Sequence, residues 1–305
     1  MLHEFIGIAG AGRVAQALGR LLHSSGEPVA AVASRSAARA GAAAAFVGPD
    51  VKAVRYEELP SYVTRLLIAV PDDAITAVAQ ILAEGGMKEG AAVHTCGAYG
   101  VEVLAPLAAR GVACATLHPL QTVSSPEQGV TALRGCAFAI SGEGRGVVWA
   151  GQIVRLLGGR PLTVRLDGKP AYHAAAVMAS NYVIVLIDAA LRLMEAAGIA
   201  PEEALPALGP LIRSSTENAL LQGPTGALTG PVERGDVQTV ALHLNALNAA
   251  RVPAEIFKLY RAAGKYALQI ARRRGLPADL AGQLEELLKR RDLHHGESSK
   301  TDSRA

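Results

Sequence analysis

An apolar run, Phe5-Ile6-Gly7-Ile8-Ala9, leads directly into Gly10-Ala11-Gly12-Arg13-Val14-Ala15, and few sequence features restrict a fold as tightly. A strand followed by a glycine-rich turn and a helix start is the arrangement that holds a dinucleotide pyrophosphate. In this pattern Gly10 permits the tight turn, Gly12 lets the backbone approach the phosphates, and Ala15 keeps the helix close to the sheet. The free amides at the helix start, from Ala11 to Val14, then face the phosphate charge.

The following residues repeat the theme. Short apolar runs near 5–9, 29–33, 51–54, 66–70, 91–95, 112–116, 136–141 and 161–164 read as strands. Alanine-rich stretches near 13–24, 36–46, 72–84, 100–110 and 146–157 read as helices between them. Runs such as Leu66-Leu67-Ile68-Ala69-Val70 are apolar throughout, as strands covered on both faces must be. The fold class is α/β, a doubly wound, mostly parallel sheet. After Asp167-Gly168 the texture turns helical, with periodicity over 169–198, 201–221, 236–249 and 253–274. The division expected is a nucleotide-binding domain over 1–165, an all-helical domain over 166–293 and a polar, disordered tail over 294–305.

Cofactor choice is read about 20 residues after the glycines, where an acid would select NAD(H). Here the second strand ends in Ser34-Arg35-Ser36, and no acid appears before Asp50. A guanidinium between two hydroxyls suits a 2′-phosphate, so NADP(H) is the expected cofactor. The other strand ends should line its nicotinamide half, through Val70 and Pro71, then Thr95 and Cys96. Asp72 or Asp73 is expected to cap the next helix. Cys96 lacks an activating base nearby in sequence and is read as pocket lining. His118, in Leu117-His118-Pro119-Leu120-Gln121-Thr122, is an expected substrate contact at a further strand end.

The helical half opens with Lys169-Pro170-Ala171-Tyr172-His173, and at about 100° per residue Lys169, His173 and Ser180 share one face, with Asn181 about 80° away. Polar groups on so apolar a helix need a wet cleft or a hydrogen-bond network. Reduction of a C=O or C=N bond needs a proton donor, and Lys169 or His173 would serve. Arg234 offers a fork for an anionic group, Asp236 reads as a helix cap, and His243 is expected to pack or bond within its own helix.

A net charge of +3, not gathered into a stripe, argues against a nucleic-acid partner. Three scattered cysteines suggest neither a metal site nor disulfides, which fits a cytoplasmic protein without a leader. The apolar stretch 174–194 carries Ser180, Asn181, Asp188 and Arg192, so it reads as a buried helix of the helical domain, and no membrane is expected.

The runs Ala69-Val70-Pro71-Asp72-Asp73, Leu117 to Thr122, Tyr172 to Asn181 and Ala227 to Asp236, together with the glycine loop, resemble an uncharacterised bacterial family that joins a Rossmann-like NADP-binding domain to a helical domain of unknown function. That family is similar in turn to pyrroline-5-carboxylate reductase, deazaflavin-dependent NADP oxidoreductases and, more distantly, 6-phosphogluconate dehydrogenase. The resemblance implies a helical domain of the last enzyme's type, a homodimer through that domain, and a site that the partner subunit sometimes completes. It supplies no reaction. Lys169 and Asn181 are too far apart to match the catalytic lysine and asparagine of 6-phosphogluconate dehydrogenases, and the threonine-rich segment of the pyrroline-5-carboxylate reductases has no counterpart. The expectation is an NADP(H)-dependent oxidoreductase acting on a small anionic substrate of keto/hydroxy or imino/amino acid type. The alternative is a non-catalytic NADP(H)-binding sensor or scaffold.

Overall fold

The structure, a computed structural model, describes residues 4–250 and 252–289; the expected tail at 294–305 lies outside them. The chain forms two compact units meeting at Tyr182 and Val183. The sequence boundary at 165/166 differs because the helix after the last strand is anchored to the sheet by its first residue.

The first unit alternates β1 (Ile6–Ala9), α1 (Arg13–Ser24), β2 (Val29–Ala33), α2 (Ala37–Val47), β3 (Lys52–Val54), β4 (Arg65–Ile68), α3 (Ile75–Glu84), β5 (Ala91–His94), α4 (Ala105–Ala108), β6 (Ala113–Pro119), α5 (Pro126–Ala132), β7 (Ala137–Gly142), α6 (Gly144–Leu156) and β8 (Arg160–Thr163). It closes with α7 (Lys169–Ala179). The strands form one sheet in the order β3-β2-β1-β4-β5-β6-β7-β8. All described pairs are parallel except β6 with β7. The strand order reverses beside β1, which is where such sheets open a crevice beyond their carboxyl ends.

Side chains on successive strand residues point to opposite faces, and both faces here are covered. Leu67 packs with Ile8, Leu18 and Trp149 on the side of α1 and α6. Leu66 and Ile68 pack with Val78 and Leu82 of α3 on the other. Burial on both faces is why these strands read as unbroken apolar runs.

α8 (Asn181–Ala196) runs from the end of the first unit into the second, which continues as α9 (Pro201–Ala227), α10 (Pro231–Arg234), α11 (Val237–Ala249), α12 (Ala254–Arg273) and α13 (Ala278–Lys289). Val240, Leu268, Leu284 and Leu288 form one small core there, and Ala189, Leu247 and Ile256 another.

Three expectations need correction. The periodicity over 169–198 is not one helix: Ser180 leaves helical geometry at φ −123°, ψ −76°, so Ser180 does not extend the face of Lys169 and His173. The apolar stretch is not buried, since only 6% of its most apolar window is covered and Met178 and Ile184 stand 64% and 66% exposed. His243 bonds across helices, its Nδ1 lying 2.8 Å from the Tyr260 hydroxyl on α12. The cap at Asp236 is present, its carboxylate accepting from the Thr239 amide at 3.0 Å and hydroxyl at 2.7 Å.

Candidate active site

Gly10 has φ +127°, and a Cβ there would sit 2.2 Å from the carbonyl oxygen of Ala69. The residue must therefore be glycine for β1 and β4 to keep their spacing. Gly12 is the N-cap of α1 and has nothing within 4 Å of its would-be Cβ. No side chain caps this helix and no acid stands in its first turn. A helix start with uncapped amides and open space beside it fits a pyrophosphate. Arg13 is exposed, Ala11 and Val14 are half-buried, and Ala15 is buried.

At the end of β2, Ser36 caps α2 by accepting from the Arg39 amide at 3.4 Å, and Ser34 Oγ accepts from the Ser36 amide at 3.5 Å. Arg35 and Arg39 are exposed and lie close enough to Tyr56 for both guanidinium charges to act on its phenol. Neither has a carboxylate partner among the described residues. Two unpaired cations over a serine-rich turn leave donors free for a phosphate.

Beyond β4, Val70 is half-buried and Pro71 exposed. Asp72 and Asp73 enter a short 3-10 turn and cap nothing, contrary to expectation, because that turn interposes before α3. Beyond β5, Thr95 is half-buried and Cys96 buried. The Cys96 sulfur accepts from the amides of Ala98 and Tyr99 at 3.3 and 3.4 Å. Burial raises its pKa, which disfavours the thiolate that a nucleophile needs. His94 donates from Nε2 to the Gly100 carbonyl at 2.8 Å and accepts the Cys96 amide at Nδ1, 3.2 Å away. Its tautomer is thereby fixed, and burial lowers its pKa to about 4.

β6 and α7 meet side by side. Lys169 is 1% exposed, and its Nζ donates to Thr116 Oγ1 at 3.2 Å. Thr116 Oγ1 also accepts the Ser141 amide at 3.0 Å. Burial lowers the Lys169 pKa, against the opposing pull of Cys96 and Glu102. Two residues on, His118 Nδ1 lies 2.8 Å from the Tyr172 hydroxyl. Thr116 and His118, two residues apart on β6, thus bond to Lys169 and Tyr172, three residues apart on α7. Burial, with His173 and Lys169 nearby, lowers the His118 pKa to about 4. Burial raises that of Tyr172 to about 12. The Nδ1 of His173 is buried without a partner. A Cβ on Gly97 would stand 2.6 Å from that nitrogen and 2.9 Å from His118 Nε2.

Of the expected site residues, the structure gathers Lys169, His173, His118 and Cys96 at the carboxyl ends of β5 and β6. Ser180 and Asn181 lie beyond them, the latter exposed, and neither side chain makes a hydrogen bond among the described residues. Arg234 is exposed on α10 of the second unit. Sequence reasoning missed Tyr172, which falls off the Lys169/His173 face, and Thr116. The adjacency of Tyr172 to His173 was the available signal for the first; only pairing across the sheet reveals Thr116. No group of three or more metal-ligating side chains able to hold an ion occurs among the described residues.

Residues 3–119 match a Rossmann-like domain, and residues 136–267 match a domain of unknown function, DUF2520. No curated protein matches the chain. Among solved structures, a proposed NADP oxidoreductase from Bacteroides fragilis is 22% identical over 87% of this chain and 97% of its own, with a TM-score of 0.71. A Thermotoga maritima protein is 24% identical over 88% and 99%, with a TM-score of 0.70. A reductive aminase from Aspergillus terreus, solved with NADPH and ethyl levulinate, is 18% identical over 93% and 99%, with a TM-score of 0.63. At these identities the likeness is one of fold.

Proposed function

In a chain that joins a Rossmann-like domain to a DUF2520 domain, we propose an NADP(H)-dependent oxidoreductase that reduces a C=O or C=N bond of a small substrate, or runs the reverse reaction. The observation that carries this reading is the proton-handling cluster of His118, Lys169, Tyr172 and His173 at the strand ends, one strand removed from the ends of β4 and two from the glycine loop. Gly10, Ala11, Gly12, Arg13 and Val14 would hold the pyrophosphate, Ser34, Arg35 and Ser36 the 2′-phosphate, and Val70, Pro71, Thr95 and Cys96 the nicotinamide side. Bound there, the cofactor supplies or accepts hydride. The first turns of α7, where Lys169 and His173 stand, supply the proton. Keto acids and imino acids, which carry C=O or C=N bonds, are the favoured substrates.

The protein acts as a homodimer on this reading. The α7–α8 segment and α9 present exposed apolar side chains, and the charges at Asp188, Arg192 and Glu195 suit a protein partner better than lipid. Titration of NADPH against NADH by fluorescence, followed by an absorbance screen at the nicotinamide band over imino, keto and hydroxy acids, tests the function. Failure to bind NADPH overturns it. Tight binding with no turnover of any class favours a sensor.

A further inference from the structure

The sequence pairs Lys169 with His173 on one helix face, and the structure separates their work. Lys169 is buried with its Nζ committed to Thr116, which makes it a peg between α7 and β6. Tyr172, His118 and His173 are linked differently. Tyr172 and His118 share a 2.8 Å hydrogen bond and meet edge to face at 5.6 Å. His118 and His173 meet edge to face at 5.9 Å. The buried, partnerless Nδ1 of His173 and the Nε2 of His118 both border the one point that a Cβ of residue 97 would occupy. His173 as a whole is only half-buried, so this ring connects an enclosed nitrogen to the surface. An unsatisfied buried ring nitrogen is destabilising, and a role in proton transfer explains its retention.

We propose that Tyr172, His118 and His173 form a proton relay over Gly97, in which Tyr172 hands the proton to the substrate and the two histidines recharge it. The inference rests on the reading of this site as one that reduces a C=O or C=N bond. Reduction adds hydride at carbon and leaves one proton to be supplied at the heteroatom. The Tyr172 O–H bond breaks, its proton passes to that heteroatom, and its electron pair stays on the phenolate oxygen. The proton on His118 Nδ1 moves to this oxygen and restores the phenol. In the same step His118 Nε2 takes up a proton from the His173 side, so His118 changes tautomer and stays neutral; before the next turnover it gives up the Nε2 proton and regains one at Nδ1 by exchange with solvent, and the net cost is one solvent proton per turnover. The 2.8 Å bond runs in either direction, from Tyr172 to His118 or back, and those directions are the two states of the relay. His118, kept neutral by burial to about pH 4, passes the proton without a cationic stage.

The test is imidazole 15N NMR on the full-length protein, with His118→Gln and His173→Gln used for assignment. Tyr172→Phe is expected to shift the tautomer balance of both His118 and His173; a change confined to His118 overturns the relay. Thermal unfolding checks that the variant folds. With any substrate found in the screen, Tyr172→Phe should lower kcat by about 100- to 10,000-fold and leave NADPH affinity unchanged. The Tyr172→Phe/His173→Gln pair should be no slower than the worse single variant, because members of one relay are not additive; multiplying losses overturn it. A wild type that binds NADPH and reduces nothing removes the reductase reading, and the NMR result still decides the relay.

Discussion

Leu67, in the middle of β4, is fully buried, whereas Leu221, on α9, is 82% exposed and its neighbour Leu220 81%. The first unit covers both faces of its sheet with its own helices. The second has two small clusters and long helices whose apolar side chains face outward. Apolar surface left open on this scale marks a place where something else binds. The first unit buries its sheet within one chain, and the second leaves much of its apolar surface open.

Experiments that strain this contrast can be ordered by size. The largest effect is expected from acid. His94 and His118 are held neutral to about pH 4, below the ordinary imidazole value of 6.5, so unfolding takes up protons at both. Stability is full above pH 6.5 and falls as the pH drops toward 4, by at most about 1.4 kcal/mol per pH unit for each ring. Denaturant midpoints measured across that range should flatten in His94→Gln and His118→Gln; a curve unchanged by either would break the assignment. Next comes Leu67→Ala, expected to destabilise by about 2–5 kcal/mol in urea titrations.

Gly97→Ala should cost about 1–3 kcal/mol through the crowding of two imidazoles. It should also disturb the His118 and His173 resonances, which a simple packing defect elsewhere would leave alone. Arg35→Ala should weaken NADPH about tenfold to a hundredfold, the range for a charged hydrogen bond of about 1.5–3 kcal/mol, and leave NADH unchanged; equal losses would refute a 2′-phosphate contact. The smallest effect on folding belongs to Leu221→Ala, within about 0.5 kcal/mol for a dilute sample. In sedimentation equilibrium the same variant should dissociate more readily than wild type. If it neither unfolds nor dissociates, α9 is not part of the proposed dimer surface and the contrast needs another explanation.

What the sequence discloses follows the same division. The central strands are legible because burial on both faces leaves β1 without a polar residue and confines those of β4 and β5 to one end each, Arg65 and His94. The turn at Gly10 is legible because sterics leave one residue type. α5 and α13 escape notice, the former because Pro126-Glu127-Gln128-Gly129 looks like a loop, the latter because its apolar stripe is short. The break at Ser180 has no local sequence marker of the usual kind, neither glycine nor proline. Tyr172 was passed over because a helical wheel weighs a face against itself, while its partner stands on a strand 54 residues away. A turn written into backbone geometry is therefore easier to read than a pair of side chains brought together from distant segments.

The last strand has a consequence for how the protein behaves at high concentration. β8 lies at the open margin of the sheet, and a bare margin is an invitation to pair with another molecule. The amides of Arg160 and Val164 point inward, donating to the Cys136 and Ile140 carbonyls at 3.0 and 3.2 Å. Alternation then turns the nitrogen of Pro161 outward, where it has no hydrogen to offer. The opposite margin, β3, is three residues long and begins with an exposed lysine, Lys52. Both borders of the sheet are thus poor templates for strand addition, so concentrated protein should assemble through its exposed helices and not through its sheet.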